Sequence, residues 1–122
     1  MKQELRLSGT GGQGLILAGI ILAEAALLDG KLAIQSQSYG PEARGGSSKS
    51  EVMISEEAIH FPKVTEPNLL LAMSQEAANK YSTDLSPESI LVTDSLFVSK
   101  LPAHAGKVYE LPITHSAKEI LG

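Results

Sequence analysis

The stretch "ELRLSGTGGQGLILAGIILAEAALLDG", residues 4–30, decides the fold of this chain. Polar and apolar residues alternate over 4–8, which is typical of a β-strand, and four glycines then break the pattern. The apolar segment 15–28 is too long for a strand, and Gly30 after it is a helix stop signal. The stretch therefore predicts a strand, a glycine turn and a helix.

The rest of the chain continues this alternation of strands and helices. Further strands are predicted at 31–36, 49–55, 68–73, 87–95 and 107–112, with helices over 74–81 and from 114 onward. Such an order predicts a three-layer α/β/α fold with a mostly parallel sheet in which mixed pairing is allowed. It opens with a Rossmann-like βαβ unit whose two strands run parallel.

Composition excludes several classes of function. The net charge is −4 and the only arginines are Arg6 and Arg44, so we expect no nucleic-acid partner. The sequence has no cysteine, so this chain forms no disulfide and supplies no thiolate to an iron–sulfur cluster. The longest apolar stretch, 15–28, is shorter than a membrane span and contains Glu24. With charged residues near Met1, this predicts a cytoplasmic protein with no membrane contact.

The glycine loop matches G-x-G-x-x-G at Gly9, Gly11 and Gly14. Free amides at a helix N-terminus attract an anion, and glycine lets a ligand approach the backbone closely. A dinucleotide site also needs an acidic residue at the end of the second strand, where this chain has the sequence QSQS at 35–38. A dinucleotide enzyme is thus disfavoured. Tight packing of the helix on the sheet would also explain these glycines, but it does not require Gly12 and Gln13.

A second polar, glycine-rich loop covers residues 37–48 and is long for a compact domain. Arg44 beside Gly45 and Gly46 is a candidate receptor for phosphate or carboxylate. The alternative is a local ion pair between Glu42 and Arg44, with glycines that only turn the chain. Residue types alone leave both hypotheses open.

The helix over 15–28 has no polar face, so we do not expect it at the surface of a protein. One side can pack on the sheet. The other side needs cover, either from neighbouring elements of the same domain or from a partner subunit.

No catalytic set emerges from the remaining polar residues. His60, His104 and His115 are scattered and lack metal-ligand spacing, so no metal site is predicted. Asp94 ends a buried strand, where α/β ligand sites form, but an aspartate at that position also commonly caps or turns the chain.

The two loops together carry a family resemblance. "GTGGQG" at 9–14 and "SYGPEARGG" at 38–46, separated by an apolar helix and a short strand, resemble the gamma subunit of 2-oxoacid:ferredoxin oxidoreductases. The segments "SEVMIS", "FPKVTEPNLLLAMSQEA", "ILVTDS" and "VYELPITHSAKEILG" follow in that family's order, so the resemblance covers nearly the whole chain. The second motif is more similar to the 2-oxoglutarate and branched-chain 2-oxoacid branch than to the pyruvate or indolepyruvate branches.

The resemblance implies a multisubunit enzyme that decarboxylates a 2-oxoacid on thiamine diphosphate, forms an acyl-CoA and passes two electrons through iron–sulfur clusters to ferredoxin. It places thiamine diphosphate, Mg²⁺ and the clusters on alpha and beta subunits, with a delta subunit as an optional partner, and makes coenzyme A (CoA) a co-substrate. This chain would bind no cofactor alone, hold no catalytic residue and be inactive in isolation.

The resemblance also identifies candidate site residues, which would contact either CoA or a partner subunit. They are Gly9, Gly11, Gly12, Gln13 and Gly14 in the first loop, and Tyr39, Gly40, Glu42, Arg44, Gly45 and Gly46 in the second. Residues 1–122 are expected to form one gamma-type domain, shortened at its C-terminal end relative to the family. The alternatives are a free-standing dinucleotide-binding oxidoreductase and a ligand-free structural α/β module.

Overall fold

The computed structural model describes residues 2–10, 14–38, 48–59, 64, 66–83, 85–103 and 106–121. These residues form six strands and three helices. The elements are β1 (Lys2–Gly9), α1 (Leu15–Leu28), β2 (Leu32–Ser38), β3 (Ser48–Ser55), β4 (Leu69–Ala72), α2 (Gln75–Tyr81), β5 (Ile90–Asp94), β6 (Lys107–Leu111) and α3 (Ile113–Leu121).

The strands form one mixed sheet in the order β2-β3-β1-β4-β5-β6. β1, β4, β5 and β6 are mutually parallel, whereas β3 runs antiparallel to both of its neighbours, β1 and β2. The expected mostly parallel sheet is therefore confirmed. β1 and β2 point in the same direction, but β3 separates them. Alternation along β3 predicts a strand with two different faces and contains no information about its partners.

Helices cover both faces of the sheet. Successive strand residues point to opposite faces, so each strand contributes side chains to both layers of packing. On one side, Leu7 and Leu71 pack with Leu15 of α1 and Ile113 of α3. On the other, Leu70, Ala72 and Leu91 pack with Ala78 of α2 and with Val98. We call these sides the α1 face and the α2 face. The predicted three-layer α/β/α architecture is confirmed.

Local signals set the helix ends where they were expected. Gly14 precedes α1 with φ = 76°, and Gly30 follows it with φ = 83°, in a region that favours glycine. The Gly30 amide donates to the Leu27 carbonyl, which closes the helix. At α2, the Ser74 hydroxyl accepts a hydrogen bond from the Ala77 amide at 3.1 Å, as the predicted serine cap requires.

None of the described helices combines the length and hydropathy needed to cross a bilayer.

Candidate functional site

The two predicted loops are attached at the same end of the sheet. The first loop leaves β1 at Gly9, and the second joins the end of β2 to the start of β3 at Ser48. Gly9 and Ser48 are direct register partners, and the Ser48 hydroxyl donates to the Gly9 carbonyl at 3.5 Å. Lys49 pairs with Ser8 on one side and with Ser38 on the other. The structure therefore brings the attachment points of both loops together at the carboxyl end of β1.

Two of the eleven candidate site residues lie among the described residues. Gly9 is buried in the sheet, and Gly14 is exposed at the start of α1. The other candidates lie outside the described residues: Gly11, Gly12, Gln13, Tyr39, Gly40, Glu42, Arg44, Gly45 and Gly46. Their contacts with CoA or with a partner remain predictions, whereas the adjacency of the loop anchors is a structural finding.

Strand order adds to the argument against a dinucleotide site. In the dinucleotide-binding fold, the acidic residue that holds the ribose ends a strand adjacent to the glycine loop's strand. Here β3 lies between β1 and β2, which moves the end of β2 one strand further away. The Gln35 side chain of β2 contacts the neighbouring strand, because its Nε2 donates to the Ser50 Oγ at 3.1 Å.

The inner side of α1 combines one large side chain, Leu15, with small residues. Leu15, Gly19 and Ala26 are its buried residues, and Gly19 lies directly over Ser50 and Gln35. A Cβ at Gly19 would overlap the Ser50 Oγ and would approach the Gln35 Cγ to 3.3 Å. Glycine therefore permits the close seating of α1 on a polar part of the sheet. The sequence motifs pointed to the loop glycines and not to Gly19.

The outer side of α1 carries most of its large aliphatic residues. We call this surface the outer face of α1: Leu17, Ile20, Ile21, Glu24, Leu27 and Leu28. Leu28 is 91% exposed, Leu17 61% and Ile21 56%. The expectation that α1 would not lie at a surface is wrong for this chain by itself, because no element of the described part covers this face. Of the two hypotheses for its cover, burial within the domain is not observed among the described residues.

A buried ion pair links β1 to β3. The Arg6 Nε lies 2.7 Å from the Glu51 Oε2, and both side chains are at most 10% exposed. Lys49 approaches the same carboxylate at 3.6 Å, and the Arg6 guanidinium lies over the Tyr81 ring of α2. Sequence reasoning missed this pair. The sequence contains one hint of the pair, since each of the two alternating strands carries a charged residue. If the two strands are neighbours, both charged side chains point toward the covered face of the sheet.

The Asp94 carboxylate caps a helix. It is fully buried and accepts hydrogen bonds from the Thr114 amide at 3.0 Å and the Thr114 hydroxyl at 2.8 Å. Pro112, whose carbonyl accepts the bond that opens α3, has no side-chain oxygen, so Asp94 satisfies the helix end from the neighbouring strand. The capping alternative for Asp94 is confirmed.

The histidines do not converge in the described part of the chain. His115 is exposed and lies 3.1 Å from Glu119 one turn later, whereas His60 and His104 lie outside the described residues. The described residues contain no group of three or more His, Asp or Glu side chains placed to hold a metal ion.

Residues 4–122 match the family model of pyruvate ferredoxin/flavodoxin oxidoreductases. This chain belongs to that family. The match spans the glycine loop, the second loop and all three helices, so the family resemblance expected from the two motifs is confirmed.

Individual family members agree with the gamma-type assignment. The chain is 52% identical to the 2-oxoglutarate synthase subunit KorC of Methanocaldococcus jannaschii over 122 residues, covering 98% of this chain and 65% of that subunit. It is 36% identical to the ketoisovalerate oxidoreductase subunit VorA of Methanothermobacter thermautotrophicus over 95 residues, covering 78% and 20%. The crystal structure of a keto/oxoacid ferredoxin oxidoreductase gamma subunit from Geobacter sulfurreducens superposes with a TM-score of 0.90 at 50% identity, covering 100% and 67%.

The chain therefore spans about two thirds of the length of the KorC subunit and of the gamma subunit that it matches. These similarities favour a gamma-type oxidoreductase chain over both alternatives, the free-standing dinucleotide-binding enzyme and the ligand-free structural module.

Proposed function

We propose that this family member acts as the gamma-type subunit of a thiamine diphosphate-dependent 2-oxoacid:ferredoxin oxidoreductase. The enzyme would convert a 2-oxoacid, CoA and oxidised ferredoxin into an acyl-CoA, CO₂ and reduced ferredoxin. The observation that carries this proposal is the similarity to the KorC subunit and the gamma subunit along essentially the whole chain.

Within this family, 2-oxoglutarate is the substrate that we assign to the complex. Identity is higher to the 2-oxoglutarate synthase subunit, at 52%, than to the ketoisovalerate oxidoreductase subunit, at 36%. The assembled enzyme should therefore reduce ferredoxin faster with 2-oxoglutarate than with ketoisovalerate or pyruvate, and equal or reversed rates would contradict the assignment.

The reaction's cofactors belong on the partner subunits in this proposal. A chain without cysteine cannot supply the thiolate ligands of iron–sulfur clusters. We place thiamine diphosphate, Mg²⁺ and the clusters on alpha and beta subunits, with a delta subunit as a further partner. The role left to this chain is to pack against those subunits and to help bind CoA.

Co-expression with the alpha and beta subunits tests the subunit role. The chain should co-purify with them, and a preparation that lacks it should have lost most of its CoA-dependent ferredoxin reduction. A chain that stays monomeric in the mixture, and whose omission leaves the activity unchanged, would refute the proposal.

The two loops are the proposed contact with the CoA phosphates. Their anchors Gly9 and Ser48 are adjacent, so residues 11–13 and 39–47 start from neighbouring points. Arg44 offers a planar guanidinium fork for a phosphate, and the glycines offer backbone amides. The N-terminal end of α1, which begins directly after Gly14 without a side-chain cap, adds a favourable dipole.

Substitution of Arg44 tests the CoA contact. In the assembled enzyme, Arg44→Ala should raise the apparent KM for CoA about tenfold, as expected for loss of one charge-assisted hydrogen bond. Arg44→Lys should recover part of the loss, and the KM for the 2-oxoacid should not change. An unchanged CoA dependence with weaker subunit assembly would assign Arg44 to an interface instead.

A further inference from the structure

The polar end of β2 carries an ordered chain of hydrogen bonds on the α1 face of the sheet. The Gln35 Nε2 donates to the Gln37 Oε1 at 2.9 Å and to the Ser50 Oγ at 3.1 Å. A longer contact of 3.5 Å joins the same nitrogen to the Ser36 carbonyl. Ser50 is fully buried, whereas Gln37 is exposed. The chain therefore links the interior of the sheet to a side chain that solvent and ligands can reach.

Gln35 is held in place by the helix above it. A Cβ at Gly19 would approach the Gln35 Cγ to 3.3 Å and the Gln35 Nε2 to 3.4 Å, so the backbone of α1 lies close against this side chain. A side-chain amide has two N–H hydrogens, and the two shorter bonds use both of them. Gln35 is thus a fixed donor that orients its neighbour and has no hydrogen left for a ligand.

Gln37 is the residue that this arrangement presents. It is the last residue but one of β2, directly before the second loop, and it pairs with Ser50 in register. Its Oε1 accepts from Gln35, and among the described residues its Nε2 has no acceptor. Because the oxygen of the planar amide is held, the nitrogen points away from Gln35. A donor that is already oriented loses little conformational entropy when it binds a ligand.

The surroundings of Gln37 are neutral. In the described part of β1, β2 and β3, only neutral side chains point to the α1 face, whereas Arg6, Lys49 and Glu51 lie on the α2 face. The one charge of α1 is Glu24, in the half of the helix that is remote from the loops. A phosphate beside Gln37 would meet no side-chain cation on this face. A neutral group that accepts and donates hydrogen bonds matches it better.

We propose that Gln37 binds a neutral hydrogen-bonding group of CoA, either the edge of its adenine or an amide of its pantetheine arm, and that Gln35 is the positioning residue for this contact. Glutamine amides pair with adenine in this manner elsewhere. The inference rests on the proposed function, since it takes CoA as the ligand of this end of the sheet. It adds a binding residue outside both loops and assigns it to the uncharged part of CoA.

Steady-state kinetics of the assembled enzyme test the contact. Gln37→Ala should raise the KM for CoA about fivefold, as expected for loss of one neutral hydrogen bond, with kcat and the KM for 2-oxoglutarate unchanged. The matched control is Ser36→Ala, an exposed position on the same strand that points to the other face. It should leave all three constants unchanged. An unchanged KM for CoA in Gln37→Ala would overturn the inference.

Gln37→Glu separates a ligand contact from a structural role. The carboxylate still accepts the bond from Gln35, but it has no hydrogen to donate. The KM for CoA should therefore rise at least as much as in Gln37→Ala. If Gln37→Glu has a normal KM, the bond to Gln35 is the only function of this side chain and the proposal is wrong.

A double-mutant cycle tests the positioning role of Gln35. Gln35→Met keeps the length of the side chain and removes the donor, so it should raise the KM for CoA by a smaller factor than Gln37→Ala. The double variant should have the same KM as Gln37→Ala alone, because Gln35 acts only through Gln37. If the two factors multiply, Gln35 does not act through Gln37. A smaller amount of folded complex lowers kcat and leaves KM unchanged, so KM separates positioning from stability.

Two further measurements identify the group of CoA. Gln37→Lys should keep the KM for CoA above that of wild type, and a KM below it would show that the partner is a phosphate and overturn the proposal. Etheno-CoA, in which the adenine edge is blocked, identifies the neutral group. If wild type and Gln37→Ala use etheno-CoA with equal KM, the group is adenine. If the difference between them persists, the group is a pantetheine amide.

The wild-type enzyme separates this inference from the proposed function. If the wild-type complex shows no CoA-dependent ferredoxin reduction, the proposed function fails. If the wild-type complex is active and Gln37→Ala uses CoA with an unchanged KM, only the role of Gln37 fails.

Discussion

The helices α1 and α2 lie on opposite faces of one sheet and differ in what they present to their surroundings. Both turn small residues inward: Gly19 and Ala26 in α1, and Ala77 and Ala78 in α2. Outward, α2 shows the polar side chains Glu76, Asn79 and Lys80, whereas α1 shows leucines and isoleucines around one carboxylate. Water covers the first surface at no cost, whereas burial of the second would be favourable.

The two helices also pack on chemically different parts of the sheet. Beneath α2, the Tyr81 ring lies against the cations of Arg6 and Lys49, next to the buried Glu51 carboxylate. Beneath α1 lie neutral polar groups, the Ser50 hydroxyl and the Gln35 amide. Leu15 is the large side chain that α1 buries, and most of its other large residues point outward, so the helix contributes little apolar burial to its own domain. The α1 face therefore combines a close fit at Gly19 with an apolar cluster around Leu15, whereas the α2 face combines an ion pair with an apolar core.

The ion pair gives the largest expected effect on stability. Glu51→Ala should lower the free energy of unfolding by about 3–5 kcal/mol, because it leaves the buried Arg6 guanidinium without its carboxylate. Chemical denaturation followed by circular dichroism measures this. The double variant Arg6→Met/Glu51→Leu should recover most of the loss, since it removes both charges. A loss below about 1 kcal/mol for Glu51→Ala would show that Lys49 and Tyr81 matter more for this face than the pair does.

Substitution at the close contact between α1 and the sheet should have an intermediate effect on stability. Gly19→Ala should destabilise the chain by about 1–2 kcal/mol, because overpacking against Ser50 outweighs the roughly 1 kcal/mol that alanine contributes to helix propensity. Ser50→Ala removes the overlapping oxygen and serves as the partner variant in a double-mutant cycle. The penalty of Gly19→Ala should shrink by at least about 0.5 kcal/mol in that background. A stabilising Gly19→Ala would mean that α1 does not rest closely on β3.

Loss of a helix cap should have the smallest effect on stability, and it should affect α2 but not α1. Ser74→Ala should cost about 1 kcal/mol, because the Ala77 amide loses its acceptor. Ser74→Asp should retain most of the stability and serves as the matched control. The first turn of α1 has no side-chain cap to lose, so Gly14 contributes there through its positive φ instead. An unchanged melting temperature for Ser74→Ala would show that the α2 cap is dispensable.

Much of this fold could be predicted from local pattern. The bounds of α1, its closure at Gly30 and the Ser74 cap follow from residues that are neighbours in the chain. The position of β3 could not be predicted in this way. A strand that alternates polar and apolar residues can pair on either side and in either direction, and the choice depends on strands far away in the sequence.

The candidate site shows the same division. The two loops, and the absence of an acid at the end of β2, were evident from residue types. That the anchors of the two loops are adjacent depends on β3 pairing with both β1 and β2, which places Ser48 beside Gly9. The pairing of Arg6 with Glu51 is equally non-local, as is the use of Asp94 to cap a helix that begins almost twenty residues later.

The sequence by itself determined the α/β class, the glycine turn before an apolar helix, the absence of thiolate chemistry and the family resemblance. These properties follow from composition and from short-range periodicity, which the chain carries before it folds. Only the tertiary structure decided that α1 turns Gly19 inward and most of its large aliphatic residues outward. That choice depends on the contact of Gly19 with Ser50 of β3 and Gln35 of β2, where even a Cβ would overlap the Ser50 Oγ and a larger side chain has no room.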